Sequence, residues 1–159
     1  MFQVRGRFEV TMDAKGRLPL PSRLREPLRT AEQTSLVLTA YEGGLHGYTV
    51  DRWRRIERRM AGRSVFDRRT RAFLHSFVAG AAEVRVDGQG RMNIPPALRR
   101  KAGLSGPCVV LSYLWMVEIW DTARWATQEA EAARIVAETG GLEDFVPFAD
   151  ETDEAGLDF

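Results

Sequence analysis

Hydrophobic and polar positions change period repeatedly along the chain, marking short strands that alternate with short helices. Phe8-Glu9-Val10-Thr11-Met12 alternates and is rich in strand formers, which predicts a strand ending at Asp13. Leu18-Pro19-Leu20 predicts a short strand confined by its proline to an edge or a strand end. One helical turn is expected from Ser22, a capping residue, through Leu24 and Arg25, with Pro27 stopping it near Glu26. Ser35-Leu36-Val37-Leu38-Thr39 and Leu45 to Val50 predict two strands about a turn at Gly43-Gly44. Asp51 is expected to cap a helix in which Trp53, Ile56 and Met60 recur at spacings of three and four, ending at Gly62. A further helix is expected over roughly Phe66 to Val78, with Phe73, Leu74 and Phe77 on one side.

The second half repeats this plan. Glu83-Val84-Arg85-Val86 and Met92-Asn93-Ile94 predict strands, and Pro95-Pro96 opens a short helix that Gly103 closes. Cys108 to Leu111 and Met116 to Trp120 predict a buried hairpin, and Asp121 caps a last helix to about Glu138 in which Trp125 echoes Trp53. The correspondence is sharpest at a five-residue turn written twice, Asp13-Ala14-Lys15-Gly16-Arg17 and Asp87-Gly88-Gln89-Gly90-Arg91. Val10 matches Val84, Leu18-Pro19-Leu20-Pro21 matches Met92-Asn93-Ile94-Pro95, and Leu24-Arg25 matches Leu98-Arg99, all at one offset of 74 (87 − 13). A lone Asp-x-x-Gly-Arg is a common surface turn; two copies with matched flanks are an internal repeat.

A unit of about 70 residues buries only a marginal core. Two such units in one chain are expected to exchange strands and build a shared small β-barrel about a pseudo-two-fold, so the fold class is α+β with a mainly β core and flanking helices. The expected organisation is a first repeat with a basic helix over 1–62, a connecting helix over 63–80 and a second repeat with its C-terminal helix over 81–139. A tail over 140–159 holds seven acidic residues and no cation, a composition that predicts disorder.

The net charge of +1 hides an asymmetry. Residues 1–80 carry 16 Lys/Arg against 8 Asp/Glu, and residues 81–159 carry 7 against 14. A basic half of that strength suits an acidic partner, with nucleic acid first among them, or is a solvated face. All the cations except Lys15 and Lys101 are arginine. The N-terminus lacks the apolar core of a secretory signal, no apolar run reaches membrane-spanning length, and one cysteine excludes an internal disulfide framework, which predicts a cytoplasmic protein with no membrane contact.

The start Met1-Phe2, both turns, Ser22-x-Leu24-Arg25-Glu26, the stretch from Ala72-Phe73-Leu74 to Gly80-Ala81-Ala82-Glu83-Val84, and Ile94-Pro95-Pro96-Ala97-Leu98-Arg99 together resemble the MraZ family of bacterial transcriptional regulators, built from two tandem AbrB-like swapped-hairpin repeats. The resemblance covers roughly residues 1–125. It implies a sequence-specific DNA-binding protein, a repressor of the division and cell-wall gene cluster that reads short direct repeats in its own operon's promoter as a ring-shaped homo-oligomer on the nucleoid. It also implies that the two Asp-x-x-x-Arg turns meet DNA. Position by position, Asp13 and Arg17 match the family's first copy and Asp87 and Arg91 its second; Lys15 fits the usual cation, whereas Gln89 stands in the equivalent place. Two extra residues near Gln3-Val4 and the acidic tail depart from the family pattern.

Elementary chemistry agrees. Arginine donates two parallel hydrogen bonds to guanine O6 and N7, glutamine can address adenine, and a pointed β-turn or paired strands fit the major groove. Arg5, Arg7, Arg23, Arg25, Arg99 and Arg100 are then expected at phosphates, giving register without sequence information. Asp13 and Asp87 are expected as braces that cap each loop or hold its arginine, and Gly16 and Gly90 as the residues that supply a positive φ. Trp53, Trp125, Phe73 and Phe77 read as core or protomer-interface residues, His46 and His75 as structural, and Cys108 as a small buried hydrophobe. No nucleophile motif, phosphate loop, dinucleotide turn or metal-ligand spacing is present, so no catalysis, metal or cofactor is implied. The rival expectation is an antitoxin-like module whose acidic tail engages a protein partner.

Overall fold

The computed structural model describes residues 4–30 and 34–140; of the acidic segment 140–159 expected to be disordered, residues 141–159 lie outside the described residues. Residues Met1–Trp125 form one compact unit and Ala126–Phe159 a second. The first repeat supplies β1 (Gly6–Thr11), β2 (Arg17–Pro19), α1 (Ser22–Thr30), β3 (Ser35–Tyr41), β4 (Gly44–Thr49) and α2 (Val50–Ala61). After α3 (Arg68–Phe73) and a π-helical turn (Leu74–Val78), the second repeat supplies β5 (Ala82–Arg85), β6 (Arg91–Asn93), α4 (Pro96–Ala102), β7 (Pro107–Tyr113), β8 (Met116–Asp121) and α5 (Thr122–Glu138).

Six strands form an antiparallel sheet in the order β1-β7-β8-β4-β3-β5, and β2 and β6 form a separate two-stranded ribbon. The order records the exchange of strands between repeats. β1 of the first repeat pairs with β7 of the second, and β5 of the second pairs with β3 of the first. The ribbon register is self-complementary: Leu18 faces its own counterpart Met92, with Arg17 opposite Asn93 and Pro19 opposite Arg91. In the hairpins the offset falls to 72 (116 − 44), and His46 faces its counterpart Glu118. A pseudo-two-fold therefore passes between Leu18 and Met92 and between His46 and Glu118.

Strand alternation separates two cores. On β3, Leu36 and Leu38 enter the larger core with Leu18, Leu20, Met92 and Ile94 of the ribbon segments and Leu24 and Leu98 of α1 and α4. Val37 points the other way, into a smaller core with Tyr48, Trp53, Phe77 and Met116 under α2 and the π turn. The ribbon and the large sheet thus enclose one core as a barrel, its strands in two separately bonded sets. Burying a leucine on this scale is worth roughly 1.5–3 kcal/mol, which explains why neither repeat stands as a separate layer. Pseudo-symmetric arginines fasten the hairpins. Arg124 Nη1 donates to Gly43 O at 3.2 Å and to Lys101 O at 3.1 Å, and its counterpart Arg52 stands 4.5 Å over the Trp115 ring.

Three local expectations are corrected. α1 does not stop at Glu26 but runs through Pro27 to Thr30. Leu24 and Leu28, one turn apart, are both buried in the larger core, and that burial outweighs the missing donor of Pro27. The cap of α2 is Thr49 rather than Asp51, its Oγ1 accepting from Arg52 N at 3.2 Å. The expected helix over Phe66 to Val78 starts only after Asp67, which caps Thr70 N, and changes to a π turn at Leu74. There Phe77 is buried in the aromatic cluster while its carbonyl accepts from the buried Thr39 hydroxyl at 2.5 Å. In the second unit, Arg134 of α5 bridges Glu131 and Glu138.

Candidate nucleic-acid interface

The two turns have nearly the same geometry. Asp13 Oδ1 accepts from Lys15 N at 3.0 Å and Arg17 N at 2.9 Å, while Asp13 N donates to Arg17 O at 3.0 Å. In the second copy Asp87 Oδ1 accepts from Gln89 N at 2.8 Å and Arg91 N at 2.9 Å. Gly16 N and Gly90 N donate back to the carbonyls of Asp13 and Asp87. Both glycines have positive φ, 81° and 76°, a region that L side chains disfavour.

Each aspartate also holds its arginine. Asp13 Oδ2 meets Arg17 Nε at 2.6 Å, and Asp87 Oδ2 meets Arg91 Nε at 3.3 Å. Backbone donation by Arg17 N and Arg91 N is the largest cause that lowers the two carboxyl pKa values below the ordinary one; desolvation opposes it, and the guanidiniums add to it. A brace at Nε leaves the Nη groups of each guanidinium as the donors presented outward.

The ribbon sets the two turns side by side. Ile94 N donates to Gly16 O at 3.0 Å and Leu20 N to Gly90 O at 2.8 Å, so each turn is tied to the other repeat's returning strand. Leu18 and Met92 are fully buried beneath the ribbon, which places Arg17 and Arg91, one position away on their strands, on its outer face. In this register they are diagonal neighbours, about 7–8 Å apart with their Cβ atoms somewhat closer. Lys15 and Gln89 are exposed at the two tips.

The remaining arginines divide. Arg25 and Arg99 join the turns from beneath, each half-buried against the glycine of the opposite copy. Arg25 Nη1 lies 3.5 Å from Gln89 O, and the Nε atoms of both arginines are buried without a partner among the described residues. Both pack against the turns, and the sequence suggested them as phosphate contacts. Arg23 and Arg100 are exposed on α1 and α4. Arg5 and Arg7 lie toward the far end of β1, Arg7 six residues before Asp13 and so about 20 Å away along an extended strand, with its guanidinium 6.0 Å over the Trp125 ring. The Arg25–Gly90 and Arg99–Gly16 contacts escape sequence reasoning; the matched offset of all four positions was the available signal.

The aromatic expectations hold at Trp53, stacked on Phe77, and at Phe73, also stacked on Phe77. Cys108 is buried and its thiol pKa is raised to about 11, chiefly by desolvation, which leaves it without thiolate character. Among the described residues, no helix is long and apolar enough to cross a membrane.

Comparison with known proteins matches this chain twice to the family described as "MraZ protein, putative antitoxin-like", at residues 3–76 and again at 77–140. The chain belongs to the MraZ family. A relative from Lactobacillus delbrueckii subsp. bulgaricus bearing the name Transcriptional regulator MraZ is 38% identical over 128 residues, 80% of this chain and 87% of the relative. One of the same name from Lactobacillus helveticus is 35% identical over 127 residues, again 80% and 87%. Each of the two MraZ matches holds one Asp-x-x-Gly-Arg turn and one hairpin of the sheet. The MraZ relatives are named as regulators, which points away from catalysis.

Proposed function

We propose that this chain, a transcriptional regulator by family, binds double-stranded DNA by laying the β2–β6 ribbon and its two turns in the major groove. The observation that carries this is the diagonal pair Arg17 and Arg91 on the outer face of a rigidly backed ribbon, each held at Nε by its own aspartate. The Nη groups address base edges, guanine first. Lys15 and Gln89 flank them with unlike chemistry, so the two turns favour different neighbouring bases. Arg23 and Arg100 meet phosphates, and Arg25 and Arg99 hold the turns at their working angle while adding positive charge.

One protomer offers few reading residues, and each good base contact discriminates by only about 1–3 kcal/mol. Head-to-tail association that closes into a ring presents several such ribbons to short direct repeats, with avidity supplying affinity. In this proposal the protein works on the nucleoid as a repressor of the division and cell-wall cluster, at its own operon's promoter. The repeats are 1–62 and 81–139, joined by 63–80.

Fluorescence anisotropy on the DNA upstream of the protein's own operon tests the proposal, comparing wild type with Arg17→Ala and Arg91→Ala against scrambled DNA across a salt titration. Specific binding should vanish in both variants while weak non-specific binding persists. Wild-type affinity in both variants would show the turns to be structural only. Shifting the DNA repeats by half a helical turn should weaken wild-type binding; indifference to spacing would remove the ring from the proposal.

The antitoxin-like alternative keeps one motive, the acidic composition of 141–159. Deleting those residues separates the two: DNA binding intact with growth control lost favours the protein-partner role.

A further inference from the structure

The α2–α3 region carries a second basic surface that the turns do not use. Residues 51–71 hold nine arginines against three carboxylates. All three carboxylates are engaged locally: Asp51 by Arg54 at 3.7 Å, Glu57 by the Trp53 indole at 2.9 Å, and Asp67 by Thr70. Arg55, Arg58, Arg59, Arg68 and Arg71 are exposed and have no hydrogen-bond or ion-pair partner among the described residues, and the exposed Arg69 acts on Asp67 through its charge without a hydrogen bond to it. An ordinary solvated helix mixes signs and gains from i,i+4 pairs of opposite charge. Within α2, Arg54/Arg58 and Arg55/Arg59 stand at that spacing with the same charge, each pair working against local order. A polyanion laid along the surface would turn that repulsion into attraction.

Position excludes the duplex that the turns would hold. α2 and the π turn cover the smaller core, on the face of β3 marked by Val37, whereas the ribbon covers the opposite face, marked by Leu36 and Leu38. A duplex seated on the ribbon is thus on the far side of the sheet from these guanidiniums. A partner suited to this surface is another anionic polymer, and guanidinium-only chemistry on two successive helices suits phosphate oxygens, which take its paired donors.

We propose that the arginine face of α2 and α3 binds the phosphate backbone of a second DNA segment without regard to sequence, so that one protein molecule can bridge two duplexes. The bridging rests on the turns holding the first duplex; the surface itself does not.

The test anchors operator DNA on beads, loads the protein, and measures capture of a second, labelled duplex of scrambled sequence. A variant combining Arg55→Gln, Arg58→Gln, Arg59→Gln and Arg69→Gln should bind the operator as wild type does and lose capture about tenfold or more, with a shallower salt slope. The matching Arg→Lys variant should keep most of it. Capture unchanged in the Gln variant overturns the proposal, because other turns of an oligomer would then hold the second duplex. Operator binding lost in step with capture also overturns it, by merging the surface with the first site. So does wild-type protein that ignores the second duplex but retains labelled polyglutamate, which would make the partner an acidic polypeptide. Direct anisotropy of scrambled duplex with Arg17→Ala/Arg91→Ala protein, with and without the four Gln substitutions, keeps the two proposals apart. Residual binding that needs the four arginines supports the surface even where operator reading fails.

Discussion

Arg99, in the second repeat, lies against Gly16, in the first: a Cβ added to that glycine would stand 2.5 Å from the guanidinium carbon. Arg25 has the same relation to Gly90, at 2.6 Å from its guanidinium carbon. Gly16→Ala therefore meets both a φ of 81° and an arginine in its way. The left-handed backbone alone costs about 1–2 kcal/mol. Thermal melting should fall accordingly, and operator affinity should drop more than stability does, since Arg99 must move. Gly88→Ala is the control: its Cβ meets nothing within 4 Å, so melting and affinity should stay near wild type.

Both turns should loosen in acid. The Asp13 and Asp87 pKa values are lowered in the folded protein, first by donation from Arg17 N and Arg91 N. A lowered folded pKa means that their stabilisation is present above the ordinary value of 3.8 and is lost as pH falls through the folded values. Amide exchange of Lys15, Arg17, Gln89 and Arg91 should rise together below about pH 4. In Asp13→Asn and Asp87→Asn the rise should disappear, because an amide oxygen accepts without titrating.

Thr39 is buried, and its hydroxyl donates to Phe77 O at 2.5 Å across the smaller core. Thr39→Val keeps the shape and removes the donor, leaving a buried carbonyl without that partner. The cost should be about 1–3 kcal/mol in denaturant unfolding, with operator binding unchanged at temperatures where the variant is folded. A neutral outcome would mean that the π turn finds another donor.

His46 sits against Glu118 on the pseudo-two-fold, with Nε2 3.6 Å from Oε1 and Nδ1 3.0 Å from the Tyr48 hydroxyl. Desolvation lowers its pKa, and Glu118 and Glu42 oppose that only in part. The unfolded chain therefore takes up the proton first. Stability should fall as pH drops from about the ordinary 6.5 toward the lowered folded value. His46→Gln should flatten urea stability across that interval. An unchanged slope would place the titration elsewhere.

The sequence by itself determined the features whose chemistry closes within a few residues. The repeat shows as residue identity alone, and the Asp-capped turns with glycine at positive φ, the proline start and glycine stop of α4, and the Asp121 cap depend on bonds spanning two to five positions, so residue identity suffices to predict them. Tertiary structure alone decided what depends on a distant partner. Leu24 and Leu28 carry α1 past Pro27 because the shared core buries both, and local propensity contains no such term. The duplication anticipates an exchange of strands, but which strands meet, β1 with β7 and β5 with β3, is a choice between equally patterned strands that only the closed sheet resolves. Arg25 and Arg99 read as phosphate contacts in the sequence because composition counts guanidiniums without locating them. The ribbon, by pairing Leu18 with Met92, carries each one under the other repeat's turn.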